Sequence, residues 1–168
     1  MIANDVTPEP FRQAMSRFAS GVTVVTTLYS GQPYGLTVSA FCSVSLDPLL
    51  VLVSLQQSSQ TLTFIEKSGC FAVNLLTAQQ QPLAVRFARK DRQGKLFSDI
   101  PHHRGARMRD VALFDEALAR VECRVAGSYP GGDHMLLLGQ VMAIECGTEA
   151  QASEPLLVYY SAFRALQR

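Results

Sequence analysis

The stretch GLTVSAFCSVSLDP, residues 35–48, carries a row of small hydroxyl side chains at regular spacing. Apolar residues fill every even position from Leu36 to Leu46, and hydroxyls fill most of the odd ones: Thr37, Ser39, Ser43 and Ser45. Alternation with period two predicts a β-strand that has one apolar face. Because a strand face in water usually carries charged side chains, the hydroxyl row indicates a face that either packs under protein atoms or holds something that is not protein.

A second group of hydroxyl residues stands just before and at the start of a predicted helix: Ser54, Ser58, Ser59 and Thr61. Such side chains at a helix N-terminus commonly cap the helix. Together with free backbone N–H groups and the helix dipole, they can also bind an anion. The sequence leaves both interpretations open.

Motifs of several large enzyme classes do not occur in the sequence. There is no dinucleotide-binding G-x-G-x-x-G, no P-loop, no G-x-S-x-G and no H-E-x-x-H. His102, His103 and His134 lack metal-ligand spacing, and the basic run 86–95 is interpreted as the solvated end of a helix. A protease, kinase, Rossmann dehydrogenase or zinc enzyme is therefore disfavoured. Chemistry by a bound organic cofactor remains, because such a cofactor needs mainly to be positioned and polarised.

Length and composition predict a single domain, residues 1–168. Apolar residues make up 48%, charged residues 17%, and the net charge is +1, which argues against nucleic acid or an anionic membrane as the main partner. No apolar run approaches the ~20 residues of a membrane span, and no secretory signal is recognised. The widely separated cysteines predict reduced thiols, with Cys42 and Cys70 buried, and hence a cytoplasmic protein.

The first half of the chain predicts a helix followed mainly by strands. The helix runs from a Thr7 cap to a stop at Gly21, with an apolar stripe on Phe11, Ala14, Met15 and Phe18. Strands are expected at 22–28, 35–48, 49–55 and 70–76, and a short helix at 61–67. The uniformly apolar segment 49–55 predicts a central strand covered on both faces.

The second half predicts a helix at 79–90, a patternless loop at 91–115 and three more strands at 116–129, 134–146 and 155–161. A tight turn at 130–133 joins the two long strands as a hairpin. With hairpin-length turns and six or seven strands, the fold class expected is an antiparallel β-barrel with short peripheral helices.

In this order the segments resemble the short-chain flavin reductases that serve two-component flavin monooxygenases. The similarity extends from about Phe11 to Arg164 and is carried by GLTVSAFCSVSLDP, LLVLVSLQQSSQT, GCFAVNLL with Gln80, LAVRFA, VECRV, GGDHMLLLGQV and PLLVYYSAFR. The resemblance implies a mainly β fold, an antiparallel split barrel that binds FMN, with FAD as a possible alternative.

The resemblance also implies a set of site residues. Along the flavin ring would lie Thr37, Val38, Ser39 and Ala40. The phosphate and ribityl chain would contact Ser54, Ser58, Ser59 and Thr61, with charge added by Arg89, Lys90 or Arg92. Phe87 would wall the flavin from a helix, while Tyr160 and Phe163 would border the pocket. His134 of the GGDH segment would face the nicotinamide as the catalytic residue, and no metal is implied.

The activity implied is NAD(P)H:flavin oxidoreductase, with hydride passing from NADH or NADPH to FMN and with NADH as the expected donor. Reduced flavin would pass to a separate monooxygenase, and the protein would form a homodimer. Two alternatives stay open: a pyridoxamine-phosphate-oxidase-like flavin enzyme on the same barrel, and a module without activity that carries flavin or binds a small apolar ligand. In the family the loop corresponding to 99–114 helps to shape substrate access. Here it lacks the common Trp and Gly-x-Pro features, so the resemblance does not fix donor preference or flavin selectivity.

Overall fold

A computed structural model describes residues 7–89, 96–147 and 153–166 of the chain. Strands predominate in these residues, which confirms the mainly β class. The helices are short: α1 (Pro8–Met15), α2 (Gln60–Ser68) and α3 (Gln81–Ala88), the last preceded by a 3₁₀ turn at Ala78–Gln80. Among the described residues, no helix has the length and apolar character needed to cross a membrane.

A seven-stranded antiparallel sheet forms the centre of the molecule. Its strands are β2 (Thr23–Tyr29), β3 (Gln32–Val38), β4 (Phe41–Leu46), β5 (Leu49–Gln56), β6 (Cys70–Leu75), β9 (Ala119–Gly131) and β10 (His134–Cys146). They lie side by side in the order β3-β2-β6-β9-β10-β5-β4. Two small sheets accompany it, one formed by β1 (Ser20–Gly21), β11 (Leu157–Tyr159) and β12 (Ala162–Arg164), the other by β7 (His102–Arg104) and β8 (Ala112–Phe114).

The prediction of one strand at 35–48 is wrong. The segment forms parts of two strands, because the chain leaves one edge of the sheet and joins the opposite edge. β3 pairs with β2, whereas β4 pairs with β5. Only Ser39 and Ala40 connect them, and they belong to neither strand. The alternating pattern continues through the break, so periodicity gave no sign of it.

This short connection shows that the sheet is strongly curled. Seven strands laid flat would span roughly 29 Å at ~4.8 Å per strand, but the link from Val38 to Phe41 reaches only ~10 Å. The Ser54 N–H of β5 donates to the Ala40 carbonyl, 3.0 Å away, and so continues the β4–β5 pairing one residue beyond Phe41. The two edge strands are not paired with each other in the described part of the chain, so the sheet is not a closed barrel.

Two buried clusters lie on opposite faces of β2. One contains Val24 and packs against Phe87 of α3, while the other contains Val25 and packs inside the curl against Ile65 of α2. β2 is thus covered on both faces, and so is β6, in which every residue from Cys70 to Asn74 is buried. Segment 49–55, expected to be so covered, is an interior strand that alternates between buried residues (Val51, Val53, Leu55) and half-buried ones.

Several elements end differently from their predictions. Helix α1 stops at Met15, well before Gly21, and buries none of its residues, since its apolar stripe faces solvent. The loop 91–115 contains β7 and β8 in its described part, and residues 90–95 lie outside the described residues. Segment 155–161 is one arm of a small hairpin, because Tyr160 and Ser161 turn the chain with positive φ. Cys42 is exposed on an edge strand, whereas Cys70 and Cys123 are buried.

Candidate functional site

A cleft of about 710 Å³ opens where β3 ends. It is lined by three short segments, 36–40, 54–56 and 58–60, together with Ala88 at the end of α3 and His134 at the start of β10. Its volume lies within the range of small-molecule and cofactor pockets, roughly 300–1,000 Å³. Among the described lining residues, His134 is the one ionisable side chain, so the walls are otherwise uncharged.

One wall is the connection between β3 and β4. Ser39 and Ala40 are exposed and lie outside both strands, so neither ladder uses their backbone N–H groups. The small side chains leave room for a flat ligand to approach these backbone groups closely. Val38 lines the same wall, and its carbonyl accepts a hydrogen bond from the Thr23 hydroxyl at 2.8 Å.

The Thr37 hydroxyl contributes to this wall indirectly. Thr37 Oγ1 donates to the Ala84 carbonyl of α3 at 2.7 Å, so it fastens the helix against β3. Gly35 allows the same close packing, because a Cβ there would lie 2.8 Å from the Phe87 ring. Together these contacts set the position of Ala88 in the cleft.

The β5–α2 turn supplies the hydroxyl wall. Ser58 and Ser59 line the cleft, and Ser59 is the N-cap residue of α2. No side-chain capping bond forms: the Ser59 Oγ is buried and has no hydrogen-bond partner within the described structure. A buried hydroxyl without a partner costs about 1–3 kcal/mol. Beside the open N–H groups of a helix N-terminus, it fits an anionic ligand group better than a cap.

His134 enters the cleft from the β9–β10 hairpin. Its Nδ1 lies 2.7 Å from Asp133 Oδ1, and this contact, chiefly its hydrogen bond, lowers the pKa of the Asp133 carboxyl. An ionised carboxylate can only accept, so Nδ1 carries the proton. The Nε2 atom of a neutral imidazole is then an acceptor, and in the imidazolium it is a donor.

Three of the residues predicted for the site do not line the cleft. Thr61 is buried, and its hydroxyl donates to the Gly35 carbonyl at 3.2 Å. Phe87 is fully buried in the core beneath α3. Tyr160 lies in the turn between β11 and β12, where its N–H bonds to the Ser16 carbonyl after α1.

Other predicted residues come together in the cleft: Thr37, Val38, Ser39, Ala40, Ser54, Ser58, Ser59 and His134. Phe163 lies on β12 and packs against the buried cluster that contains Val24 and Phe87. Arg89 follows α3 directly after Ala88, while Lys90 and Arg92 lie outside the described residues. The sequence reading missed Gln56, Gln60 and Ala88, which also line the cleft, and the Asp133 contact to His134. The G-D-H run was the available signal for Asp133.

The cleft fits a flavin mononucleotide on its own chemistry. Backbone groups outside the strand ladders can hydrogen-bond a planar polar ring, and small side chains keep the space above them free. The unpartnered Ser59 hydroxyl at a helix N-terminus suits a phosphate. The residues present are therefore compatible with the cofactor that the resemblance implies.

Comparison with known proteins agrees with this reading. Residues 15–167 match the family model of the flavin reductase like domain. The NADH-dependent FMN reductase AsuE2 of Streptomyces nodosus subsp. asukaensis is 41% identical over 165 residues, which cover 94% of this chain and 84% of that protein. The reductase component of 4-hydroxyphenylacetate 3-monooxygenase from Thermus thermophilus is 34% identical over 94% of this chain and 96% of that protein.

Solved structures show the same similarity. The NADH:FAD oxidoreductase SgcE6 of Streptomyces globisporus, in complex with NAD and FAD fragments, superposes with a TM-score of 0.87 at 32% identity, covering 98% of each chain. The family match, which spans most of the chain, confirms the resemblance seen in the sequence. The chain belongs to the flavin reductase like domain family.

Proposed function

We propose that the protein is an NADH:flavin oxidoreductase that reduces FMN and supplies the reduced flavin to a separate monooxygenase. The observation that carries the proposal is the uncharged cleft, which brings an unpartnered buried hydroxyl and an oriented histidine together in a member of this family. Relatives named as NADH-dependent FMN reductases and as monooxygenase reductase components support the donor, the acceptor and the place in the reaction sequence.

The β3–β4 connection would hold the flavin ring. Val38, Ser39 and Ala40 offer backbone groups at the cleft wall, and hydrogen-bond donors fixed there favour negative charge on a bound ring without having to rearrange. Thr37 contributes indirectly, because its hydroxyl holds α3 against β3 through the bond to the Ala84 carbonyl. The hydroxyl residues of this segment would therefore have two roles: Ser39 would lie against the ring, and Thr37 would position the helix.

The phosphate would bind at the N-terminus of α2. Ser58 and Ser59 are the donors available in the cleft, and the first-turn N–H groups of the helix add to them. Thr61 supports this segment from beneath by holding it to β3 through the Gly35 carbonyl. Ser54 lies on β5 between the ring wall and the phosphate end.

His134 would meet the nicotinamide. A carboxamide contains both an N–H donor and a carbonyl acceptor, so His134 Nε2 can bind it in either protonation state. Asp133 fixes the imidazole tautomer and its orientation. When bound, the flavin supplies a two-electron acceptor for hydride from the nicotinamide. The protein's task is alignment, since transfer needs reacting atoms about 3–3.5 Å apart and no protein nucleophile.

The curled sheet is inferred to be a split barrel, open between its edge strands β3 and β4. Their two-residue link supports this assignment, because the edges must come close without pairing. The protein is also inferred to act in the cytoplasm, where its four free cysteines would stay reduced.

A homodimer is proposed through the outer face of β10 and β5. Residues on this face stay only half-buried in the single chain although they are apolar: Leu50, Leu52, Leu136 and Leu138. The register places His134 and Ser54 on the same face, so the cleft opens at its border. A partner covering these leucines would bring each site close to the subunit boundary.

The direct test mixes purified protein with FMN and NADH under air and follows the nicotinamide absorbance, with FAD, riboflavin and NADPH as comparisons. The expected result is NADH consumption that depends on added flavin. In His134→Gln, the KM for NADH should rise about tenfold or more while the Kd for FMN stays within about twofold. A protein that binds FMN but leaves NADH unoxidised would be a flavin carrier and would contradict the proposal.

A further inference from the structure

Gln57 connects the two turns that border the cleft. It lies in the β5–α2 turn, where the Ser59 N–H donates to the Gln56 carbonyl at 2.9 Å. From there its backbone N–H donates to the Asp133 carbonyl at 3.1 Å, and its side-chain Nε2 donates to the Gly132 carbonyl at 2.9 Å. One residue therefore binds two consecutive carbonyls of the β9–β10 hairpin turn, directly before His134.

These contacts lie beyond the end of the strand ladder. The last β5–β10 pair in the register is Gln56 with His134, so strand pairing fixes the hairpin only up to that point. Past it, the turn passes through Gly132 in the left-handed region, with φ of 71°. The Gln57 bonds restrain the part of the turn that carries Asp133, whose carboxylate orients the imidazole.

We propose that Gln57 is a positioning residue for the nicotinamide side of the reaction. By holding the Gly132 and Asp133 carbonyls, it fixes the hairpin turn and thereby the Asp133–His134 pair at the cleft wall. This inference rests on the proposed function for the identity of the ligand that His134 meets. It assigns a role to a side chain that does not itself line the cleft.

Gln57 also links the Asp133–His134 pair to the hydroxyl wall of the cleft. Ser58 and Ser59 follow Gln57 in the same turn, so a shift of either turn is transmitted to the other through one side-chain bond and one backbone bond. The backbone bond is present whatever the side chain. Substitution of the side chain therefore tests its two contacts, the hydrogen bond to the Gly132 carbonyl and the contact of Nε2 with Met135 Sδ at 4.0 Å, and leaves the backbone bond in place.

Two variants separate the hydrogen bond from the bulk of the side chain. Gln57→Met keeps the length and removes the donor, whereas Gln57→Lys keeps a donor that can reach the Gly132 carbonyl. Gln32→Met, at an exposed position at the start of β3, is the matched control. The KM for NADH should rise about three- to tenfold in Gln57→Met, the factor expected from the net worth of one hydrogen bond. The Kd for FMN, measured by flavin fluorescence, should change less than about twofold.

A second readout uses the protein without flavin or NADH. Backbone amide hydrogen exchange over residues 131–135 should speed up in Gln57→Met and remain at the wild-type rate in Gln57→Lys and Gln32→Met. Exchange in the β6 and β9 ladders should not change in any of the three. This measurement reports the turn itself, independently of activity.

The double variant Gln57→Met with His134→Gln decides whether Gln57 acts through the histidine. In the His134→Gln background, Gln57→Met should add less than about twofold to the KM for NADH, because contacts that act as a unit are not additive. If the two substitutions raise the KM for NADH by independent factors that multiply, this inference alone is overturned. It is also overturned if amide hydrogen exchange at 131–135 is unchanged in Gln57→Met, or if the Kd for FMN rises together with the KM for NADH. An unaltered KM in His134→Gln itself would overturn both this inference and the role proposed for His134.

Discussion

At the level of single residues, the Ser59 hydroxyl is the feature that bears most directly on ligand binding. It is buried at the start of a helix, yet it neither caps the helix nor bonds to another described residue. Buried polar groups in proteins nearly always have a partner. We propose that the partner of this hydroxyl is the flavin phosphate.

Ser59→Ala tests that account by separating stability from binding. Removing an unpartnered hydroxyl should leave the midpoint of thermal unfolding unchanged or slightly raised, because no protein hydrogen bond is lost. FMN affinity should fall about tenfold, the scale of one hydrogen bond to a charged group. Riboflavin, which has no phosphate, should bind the variant as it binds the wild type in a fluorescence titration. Equal losses for both flavins would show that the hydroxyl does not contact the phosphate.

Residues beside turns could be placed in the cleft from the sequence, whereas residues on a helix could not. Ser39, Ala40, Ser58 and His134 were predicted and lie in the cleft, because each sits beside a turn whose backbone is exposed. Phe87 was predicted as a flavin wall but lies in the core, since an amphipathic helix pattern does not say what its apolar face covers.

At the level of elements, the width of the cleft depends on how closely α3 and β3 approach. Gly35 contributes to that approach on the strand side, and the Thr37 hydroxyl fastens the helix through the Ala84 carbonyl. Gly35 and Thr37 thus shape the cleft by fixing the position of α3, without themselves having to contact a ligand.

Gly35→Ala should therefore damage both packing and binding. The added methyl would lie 2.8 Å and 2.9 Å from two Phe87 ring carbons and 3.3 Å from Phe97, and such overpacking costs about 1–3 kcal/mol. Chemical denaturation should show that loss, and the FMN Kd should rise as α3 moves. Gly21→Ala, where an added methyl meets nothing within 4 Å, is the control and should behave as the wild type. A Gly35→Ala protein of undiminished stability would mean that the helix can shift freely.

Element boundaries were predictable where turn residues mark them and obscure where they do not. The turn predicted at 130–133 does join the two long strands, but it is shorter than predicted, since Pro130 and Gly131 belong to β9. The break at Ser39–Ala40 was missed because small residues continue the alternation, and sheet order depends on contacts distant in sequence.

At the level of the whole molecule, the outer face of β10 and β5 has apolar side chains and no described element packed over it in the centre. Leu138 pairs with Leu52 across this face, and Leu136 with Ser54 at the border of the cleft. Such a face in one subunit is typical of an interface between copies.

Leu138→Lys should convert the proposed dimer into a monomer. A lysine in the middle of an apolar interface would be buried without a partner charge, so the cost of desolvating it would outweigh the attraction between the apolar side chains. Light scattering after size-exclusion chromatography should give the dimer mass for wild type and for Thr63→Lys, an exposed position on α2, and the monomer mass for Leu138→Lys. A wild-type protein that elutes as a monomer would exclude the interface.

We propose that the β3–β4 connection binds the flavin ring, and Ser39→Lys tests this proposal most directly. A long charged side chain in the cleft wall should abolish FMN binding in a fluorescence titration while the circular dichroism spectrum stays unchanged. Ser43→Lys, also exposed but on β4 and outside the cleft lining, should bind FMN as the wild type does. Undiminished FMN affinity in a folded Ser39→Lys protein would contradict the account.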